Sequence, residues 1–335
     1  MMLGIWNLNK RSYFHMKWLG KLLGAFVFVI IIFLFLAPYE LKAQLEGKPV
    51  AYLDSIMEDE DEGRLSFPSF VWVDPVMKEI YIIDAKNRII IYTSDFFPLF
   101  TLDKRDGIEA PLGLVVDKEG NLYVAQGPSK RNKRARISVF NACLKWERDI
   151  YITGFEEADS FTPYRLAIDK NDNIYVAGNY SSRVLVINPQ GHILDMISVK
   201  EEKGGERINV KLNDVAVDRD DRLYLLSEQE SHIYVYDNNR KFLFKFGQKG
   251  GSTGKLSRPR GFSIDNLNGR VYIVDYMRHT ISAYDKEGRY LFEFGGLGWG
   301  PGWFQYPRDI CIDPMGRVLV ADTFNDRVQV FQSKE

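Results

Sequence analysis

The sequence contains few of the residues that build disulfide scaffolds and histidine metal sites. It has 2 cysteines and 4 histidines among 335 residues, whereas a disulfide-stabilised fold would need many more cysteines. It also lacks an excess of one charge, because 44 basic side chains face 45 acidic ones. Such a balance provides no broad cationic field for nucleic-acid phosphates. A disulfide scaffold is therefore excluded, and no nucleic-acid partner is expected.

The composition is that of a folded chain with one exceptional segment. Hydrophobic residues make up 45% of the sequence and aromatic residues 14%, which excludes a disordered protein. Residues 22–37 carry no charge and follow Lys10, Arg11, Lys17 and Lys21. A helix over this segment would measure about 24 Å, short of the roughly 30 Å hydrocarbon core. We therefore predict a signal peptide or short signal anchor.

The basic residues before this segment predict the orientation of the chain. They keep the amino end in the cytoplasm, so the rest should be extracytoplasmic, either periplasmic or secreted. Ala43 provides a small residue at the end of a possible cleavage site. Residues 1–43 are then the signal peptide or anchor, and 44–335 the folded domain. If cleavage does not occur, residues 22–37 anchor the protein to the inner membrane.

An internal repeat organises the remaining sequence. An apolar run that ends in aspartate recurs six times, at intervals of 43 to 52 residues. The repeated aspartates are Asp74, Asp117, Asp169, Asp218, Asp265 and Asp313. Further short runs rich in Val, Ile and Tyr follow each aspartate, which is typical of strands. Four antiparallel strands at this period form a propeller blade, so six units predict six blades.

The sixth unit ends after its third strand, and the segment 50–56 has the pattern of the missing fourth one. Pairing the two would close the ring and remove two exposed sheet edges. The predicted fold is all-β: a six-bladed propeller of four-stranded antiparallel blades. An amino-terminal strand completes its last blade, and one amino-terminal hydrophobic helix precedes it.

The repeat unit resembles a known family. Residues 303–331, WFQYPRDICIDPMGRVLVADTFNDRVQVF, are similar to an NHL repeat, and the resemblance covers roughly residues 48–331. Blade 4 departs from it, with Leu212 where other blades have proline. The resemblance implies a six-bladed propeller of the kind found in exported bacterial NHL-repeat proteins, which usually binds partners. It implies no particular activity, since the same fold carries many functions.

Several recurring features of the unit have a structural interpretation. In blades 1, 3 and 6 the aspartate is followed fourteen residues later by Arg88, Arg183 and Arg327. Recurrence with the unit predicts an ion pair within the blade or a braced turn. The histidines of the repeat region are His192, His232 and His279, and strand order places His192 on the opposite rim from the other two. We therefore expect no histidine metal site, no cofactor and no catalytic set.

The candidate ligand site lies where the inner strands begin. Arg165, Asp214, Arg260, Arg308 and Asp309 open these strands and should converge at the mouth of the central channel, as a polar concavity of ligand size. Two charged segments, 58–62 and 130–136, should reach the same face. They could attract each other, hold a charged partner, or be solvated loops.

These features predict a monomeric, extracytoplasmic binding scaffold. Its propeller face would engage a protein of the cell envelope, a polymer or a small anion, and the membrane would be involved only through an uncleaved amino-terminal segment. The alternative is a metal-dependent, lactonase-like hydrolase or lyase with ligands Asn213, Asp214 and Asp309 at the channel mouth. A purely architectural subunit of an envelope complex is a third reading.

Overall fold

The computed structural model describes residues 50–61 and 63–333. The predicted signal peptide or anchor and the hydrophobic helix within it lie outside the described residues. The blades lie in the compact unit Tyr52–Glu335, apart from the first two residues of the closing strand. Within the described residues, no helix has the length and apolar character needed to cross a membrane.

Six four-stranded antiparallel sheets follow one another along the chain, as predicted. Blade 1 contains β2 (Phe70–Val73), β3 (Ile80–Asp84), β4 (Arg88–Tyr92) and β5 (Pro98–Leu102), after the closing strand β1 (Val50–Ile56). Blade 2 contains β6 (Pro111–Val116), β7 (Leu122–Gln126), β8 (Arg136–Phe140) and β9 (Trp146–Ile150). Blade 3 contains β10 (Pro163–Ile168), β11 (Ile174–Gly178), β12 (Arg183–Ile187) and β13 (Ile193–Ser198).

A separate hairpin, β14 (Lys200–Lys203) and β15 (Glu206–Asn209), precedes blade 4. Blade 4 contains β16 (Asp214–Val217), β17 (Leu223–Ser227), β18 (His232–Tyr236) and β19 (Phe242–Phe246). Blade 5 contains β20 (Pro259–Asp265), β21 (Arg270–Asp275), β22 (Thr280–Asp285) and β23 (Tyr290–Gly295). Blade 6 contains β24 (Asp309–Ile312), β25 (Arg317–Asp322) and β26 (Arg327–Ser333), with a short 3-10 helix, η1 (Thr323–Asn325), between the last two.

The core lies between neighbouring blades, which explains the apolar runs. Second strands such as β3, β7 and β11 are buried at every residue, because other blades cover both of their faces. Tyr81 and Ile83 of blade 1, for example, share one cluster with Leu122 and Val124 of blade 2. Outer strands such as β9 are largely exposed. A continuous apolar run therefore indicates a strand between blades, and a run that mixes polar and apolar residues indicates a strand near the outer rim.

The closing strand behaves as predicted. The sheet order of blade 6 is β1, β26, β25, β24, so an amino-terminal strand takes the outermost position. Ile56 is buried, and the ring of Tyr52 packs edge to face against Phe331 with centroids 5.9 Å apart. The blade that ends the chain is thus completed by the segment that precedes blade 1.

The disc has two different faces because successive strands alternate in direction. We call the face with the connections between strands one and two, and between strands three and four, the turn face. There the repeated aspartates close short turns: Asp117 Oδ1, for instance, accepts the N–H of Glu119 at 3.0 Å and of Asn121 at 2.8 Å. The same two bonds occur at Asp169, Asp218 and Asp313. At Asp74 and Asp265 the two donating N–H groups lie two and three residues on instead.

The opposite face, which we call the loop face, is irregular. It carries the connections between strands two and three and those between blades. The first kind covers 85–87 in blade 1 but 127–135 in blade 2. The hairpin β14–β15 extends the connection from blade 3 to blade 4. The inner strands begin on this face, and we call the end of the central channel that lies here the channel mouth.

Candidate functional site

The inner strands line a central cavity of about 260 Å³. Arg165, Asp214 and Asp309 are among its lining residues, at the end of the cavity that lies nearer the loop face. They are almost completely buried, with exposed fractions of 3%, 5% and 4%. Nη2 of Arg165 lies 3.9 Å from Oδ1 of Asp309. The structure thus brings together three of the five predicted ligand-binding residues.

These three side chains also connect the blades. Asp309 Oδ2 accepts the backbone N–H of Val71 at 3.0 Å, which joins blade 6 to blade 1. Asp214 Oδ2 accepts the N–H of Phe262 at 3.1 Å, which joins blade 4 to blade 5. Arg165 donates to the backbone oxygens of Leu112 and Ser69 in blades 2 and 1. Their polar atoms are therefore largely occupied in holding the ring together.

Glycine at two positions permits this close approach. A Cβ on Gly261 would lie 2.5 Å from Oδ1 of Asp309, and a Cβ on Gly113 would lie 2.4 Å from the backbone oxygen of Tyr164. Real Cβ atoms do not tolerate such distances, so any other residue would push the inner strands apart. The sequence supplies glycine where the strands must pass closest to the buried charges.

One arginine balances two buried carboxyl groups in this cluster. Burial raises the pKa of Asp214 to about 7, Asp309 adds to the rise, and Arg165 opposes it. Burial also raises the pKa of Asp309, against the effect of Arg165. Two carboxylates that share one cation cannot both be fully compensated. Near neutral pH the cluster therefore carries less negative charge than two ionised aspartates would.

The other two predicted residues lie apart from this cluster. The guanidinium of Arg260 stacks 4.7 Å from the ring centroid of Tyr276, and its Nε lies 3.5 Å from Oε1 of Glu228. The half-buried side chain of Arg308 makes no hydrogen bond or ion pair with any residue that the structure describes. In each of Arg165, Arg260 and Arg308 the Nε atom is buried without a hydrogen-bond partner there.

The residues proposed as metal ligands in the alternative function are engaged elsewhere. Nδ2 of Asn213 donates to the backbone oxygen of Arg260 at 3.0 Å, and its Oδ1 accepts the N–H of Glu228 at 2.6 Å. Across residues 50–61 and 63–333, no group of three His, Cys, Asp or Glu side chains is arranged to hold a metal ion. His192 lies on the turn face, where its backbone N–H donates to Oδ1 of Asn188 at 2.9 Å.

The repeated arginines do not pair with the aspartates fourteen residues before them. Nε of Arg88 bonds to Asp84 at 3.1 Å and its Nη1 to Asp59 at 2.6 Å. Arg327 pairs with Asp322 and Arg183 with Glu157. The reason is topological: the repeated aspartate ends strand one on the turn face, whereas the arginine begins strand three on the loop face.

Two features of the loop face were not foreseen from the sequence. The hairpin β14–β15 carries Glu201 to blade 4, where Oε1 accepts the hydroxyl of Tyr234 at 2.6 Å and lies 3.4 Å from Nδ1 of His232. Burial lowers the pKa of His232. The pair Gly204 and Gly205 between two short polar runs was the available signal, since Gly-Gly favours tight hairpins.

The second feature is a row of aromatic rings, which we call the aromatic row. Its centroid distances are 4.9 Å from Tyr276 to Tyr306, 5.1 Å from Tyr306 to Phe324, and 5.3 Å from Phe324 to Phe67. Phe67 and Tyr306 have left-handed backbones, with φ of 45° and 50°. Bulky residues adopt this conformation at an energetic cost, and such residues cluster at functional sites.

Comparisons with known proteins agree with this architecture. Residues 304–331 match the family model of the NHL repeat, and residues 206–288 match a model described as a 6-bladed beta-propeller. The chain is a six-bladed propeller that contains an NHL repeat. No curated protein matches its sequence.

Solved structures of the same fold include proteins with different descriptions. A structural genomics protein of unknown function from Bacteroides thetaiotaomicron has a TM-score of 0.61 at 15% identity, over 84% of this chain and 75% of that one. An auxiliary nutrient binding protein from Bacteroides ovatus has 0.60 at 15%, over 85% and 76%. Virginiamycin B lyase from Staphylococcus aureus has 0.56 at 11%, over 84% and 98%. At these identities the similarity of the three structures to this chain shows a shared fold and nothing more.

Proposed function

We propose that this NHL-repeat propeller is an extracytoplasmic binding scaffold that holds an anionic partner on its loop face. The observation that carries the proposal is the contrast between the two faces. Short, aspartate-closed turns recur on the turn face, whereas the long loop 127–135 and the hairpin β14–β15 both lie on the loop face. In repeat proteins such insertions usually map to the binding face.

The charge at the channel mouth supports an anionic partner. Arg165, Arg260 and Arg308 each have an Nε that lacks a hydrogen-bond partner among the described residues. The raised pKa of Asp214 reduces the negative charge that opposes them. A carboxylate, phosphate or sulfate is the group that arginine donors bind most strongly. Arg260 and Arg308 are the more accessible pair, so we assign contact with the partner to them.

The aromatic row supplies apolar contact area beside these arginines. Arg260 stacks on Tyr276 at one end of the row, and Phe324 and Phe67 at the other end are 41% and 44% exposed. Aromatic residues and arginine are enriched at protein interfaces and dominate their energetics. An envelope protein with an acidic patch is the partner that best matches this combination.

The metal-dependent hydrolase or lyase has less support. Asn213 uses both ends of its amide in backbone contacts, and Asp214 and Asp309 accept backbone N–H groups from neighbouring blades. A calcium ligand set would have to give up these bonds. The extracytoplasmic location rests on the uncharged segment 22–37 and the basic residues before it.

Chemical crosslinking in intact cells, followed by identification of the attached proteins, tests the proposal. In the variant R260Q/R308Q the yield of crosslinked partner should fall more than about tenfold, because the variant removes two interfacial charges. The control R219Q/R222Q removes the same charge from a turn of the turn face and should retain the partner. Retention by both variants, or equal loss from both, would contradict the assignment.

A further inference from the structure

A second concave surface lies on the loop face, between blades 1 and 2. It is a groove of about 870 Å³, within the size range of ligand sites. Two acidic side chains, Asp103 and Glu109, line it. Its basic lining residues are Lys86, Arg88, Lys104, Lys130, Arg131 and Lys133. We call this surface the basic groove.

Three of these basic residues belong to the longest connection between second and third strands, the loop 127–135. The loop has a defined conformation: the N–H of Ser129 bonds to the backbone oxygen of Asn132 at 2.7 Å. Nδ2 of Asn132 donates to the hydroxyl of Tyr151 at 2.9 Å, and the guanidinium of Arg134 stacks on the same ring at 4.8 Å. The insertion therefore holds its charges in place rather than leaving them on a free segment.

The positive charge of the groove is not neutralised from within. Asp103 is already bonded to Arg105 at 3.1 Å, and Glu109 lies 3.7 Å from Arg136 and 3.8 Å from Arg131. The ammonium groups of Lys104, Lys130 and Lys133 have no ion pair or hydrogen bond with any described residue. Such a local excess is notable in a chain whose 44 basic and 45 acidic side chains nearly balance.

A carboxylate of the chain itself pairs with a basic residue at the edge of the groove. Asp59, in the acidic segment 58–61, bonds through Oδ2 to Nη1 of Arg88 at 2.6 Å. Its Oδ1 accepts the N–H of Gly63 at 2.8 Å. Burial works to raise the pKa of Asp59, but Arg88 and these backbone N–H groups outweigh it and lower that pKa. One carboxylate of the chain itself is thus already paired with a basic residue at this edge.

We propose that the basic groove binds an acidic polypeptide segment, rich in Asp and Glu, of a partner protein. The inference rests on the proposed function, because it names the chemistry of the partner that the loop face holds. Asp59 leaves Lys104, Lys130 and Lys133 free, so the incoming carboxylates pair with these lysines. The groove lies at blades 1 and 2, whereas Arg260 and Arg308 lie at blades 5 and 6, so the two contacts are separable.

The test measures binding of a fluorescein-labelled Asp/Glu peptide to the full-length chain by fluorescence anisotropy. Binding should weaken about tenfold between about 50 mM and about 300 mM salt, because exposed charge pairs are screened. K104Q/K130Q/K133Q should weaken it about tenfold at low salt. The matched control K78Q/K145Q/K241Q removes three exposed lysines of the turn face and should change binding less than about twofold. All variants should melt within about a degree of the wild type, since surface changes of this kind cost little stability.

Equal weakening by the two triple variants would overturn the proposal, because it would show a response to net charge alone. No peptide binding, or tight binding of dextran sulfate with weak binding of the peptide, would also overturn it. If the peptide fails to bind while cellular crosslinks remain sensitive to R260Q/R308Q, the groove assignment falls and the proposed function stands.

Discussion

The two faces of this propeller follow different rules. On the turn face, six aspartates close the six inner turns, each by accepting two backbone N–H groups. The outer turns are closed by Thr93, Asn141, Asn188, Asp237 and Asp285. On the loop face, neighbouring connections differ in length, charge and shape. The comparison shows that the repeat maintains the fold through one face and leaves the other free to vary.

The channel mouth is an exception within the loop face, because its charged residues stabilise the ring. The most damaging single change we predict is Arg165→Ala, which leaves Asp214 and Asp309 buried without their cation. We expect the free energy of unfolding to fall by about 3–5 kcal/mol, as when one partner of a buried ion pair is removed. Chemical denaturation measures this loss.

Arg308→Ala is the matched control, since its side chain has no polar partner among the described residues and lies on the same face. We expect it to cost less than about 1 kcal/mol. If both variants unfolded at the same denaturant concentration, Arg165 would not be a structural residue and our division of the mouth would be wrong.

A smaller effect separates the two faces directly. Asp265 is fully buried on the turn face, and it accepts the N–H groups of Leu267 and Asn268, each at 3.0 Å. Asp265→Ala leaves these donors unsatisfied and should cost about 2 kcal/mol. Asn132→Ala removes two contacts of the half-exposed loop in blade 2, where water replaces them, and should cost less than about 1 kcal/mol. The reverse order in thermal or chemical unfolding would refute the contrast between the faces.

A further predicted effect concerns pH. The folded-state pKa of Asp214 is raised from its ordinary value to about 7, so its contribution to stability is complete at low pH. That contribution is lost as the pH rises from about 4 through about 7. Relative to Asp214→Asn, the wild type should therefore lose free energy of unfolding over this range. Denaturation at a series of pH values measures the difference, and identical slopes for the two proteins would show that Asp214 does not titrate as inferred.

Most of the fold could be predicted from the sequence because the same pattern of strands recurs in six units. The aspartate spacing predicted the blades, and the missing fourth strand of blade 6 predicted the role of β1. The pairing of Arg88 with Asp84 and Asp59 could not be read in the same way, because spacing along the chain does not tell which face a side chain occupies. The hairpin β14–β15 was missed since its polar residues, such as Lys200 and Glu206, show no apolar alternation.

The candidate site was predicted only in part, for a related reason. The sequence pattern places the residues of this site near the start of the inner strands, but their contacts depend on the direction of each side chain. Arg165 turns inward to the backbone of blades 1 and 2, while Arg260 stacks on Tyr276. A sequence pattern places both at the channel mouth. It does not distinguish a residue that connects the blades from one that is available to a partner.

Site-specific photo-crosslinking in intact cells tests the central claim most directly. A photo-reactive amino acid would replace Phe324 on the loop face or Met315 on the turn face, two residues that are each 41% exposed. We predict a discrete crosslinked partner from position 324 and none from position 315. Equal crosslinking from both positions, or crosslinking from position 315 alone, would contradict the assignment of binding to the loop face.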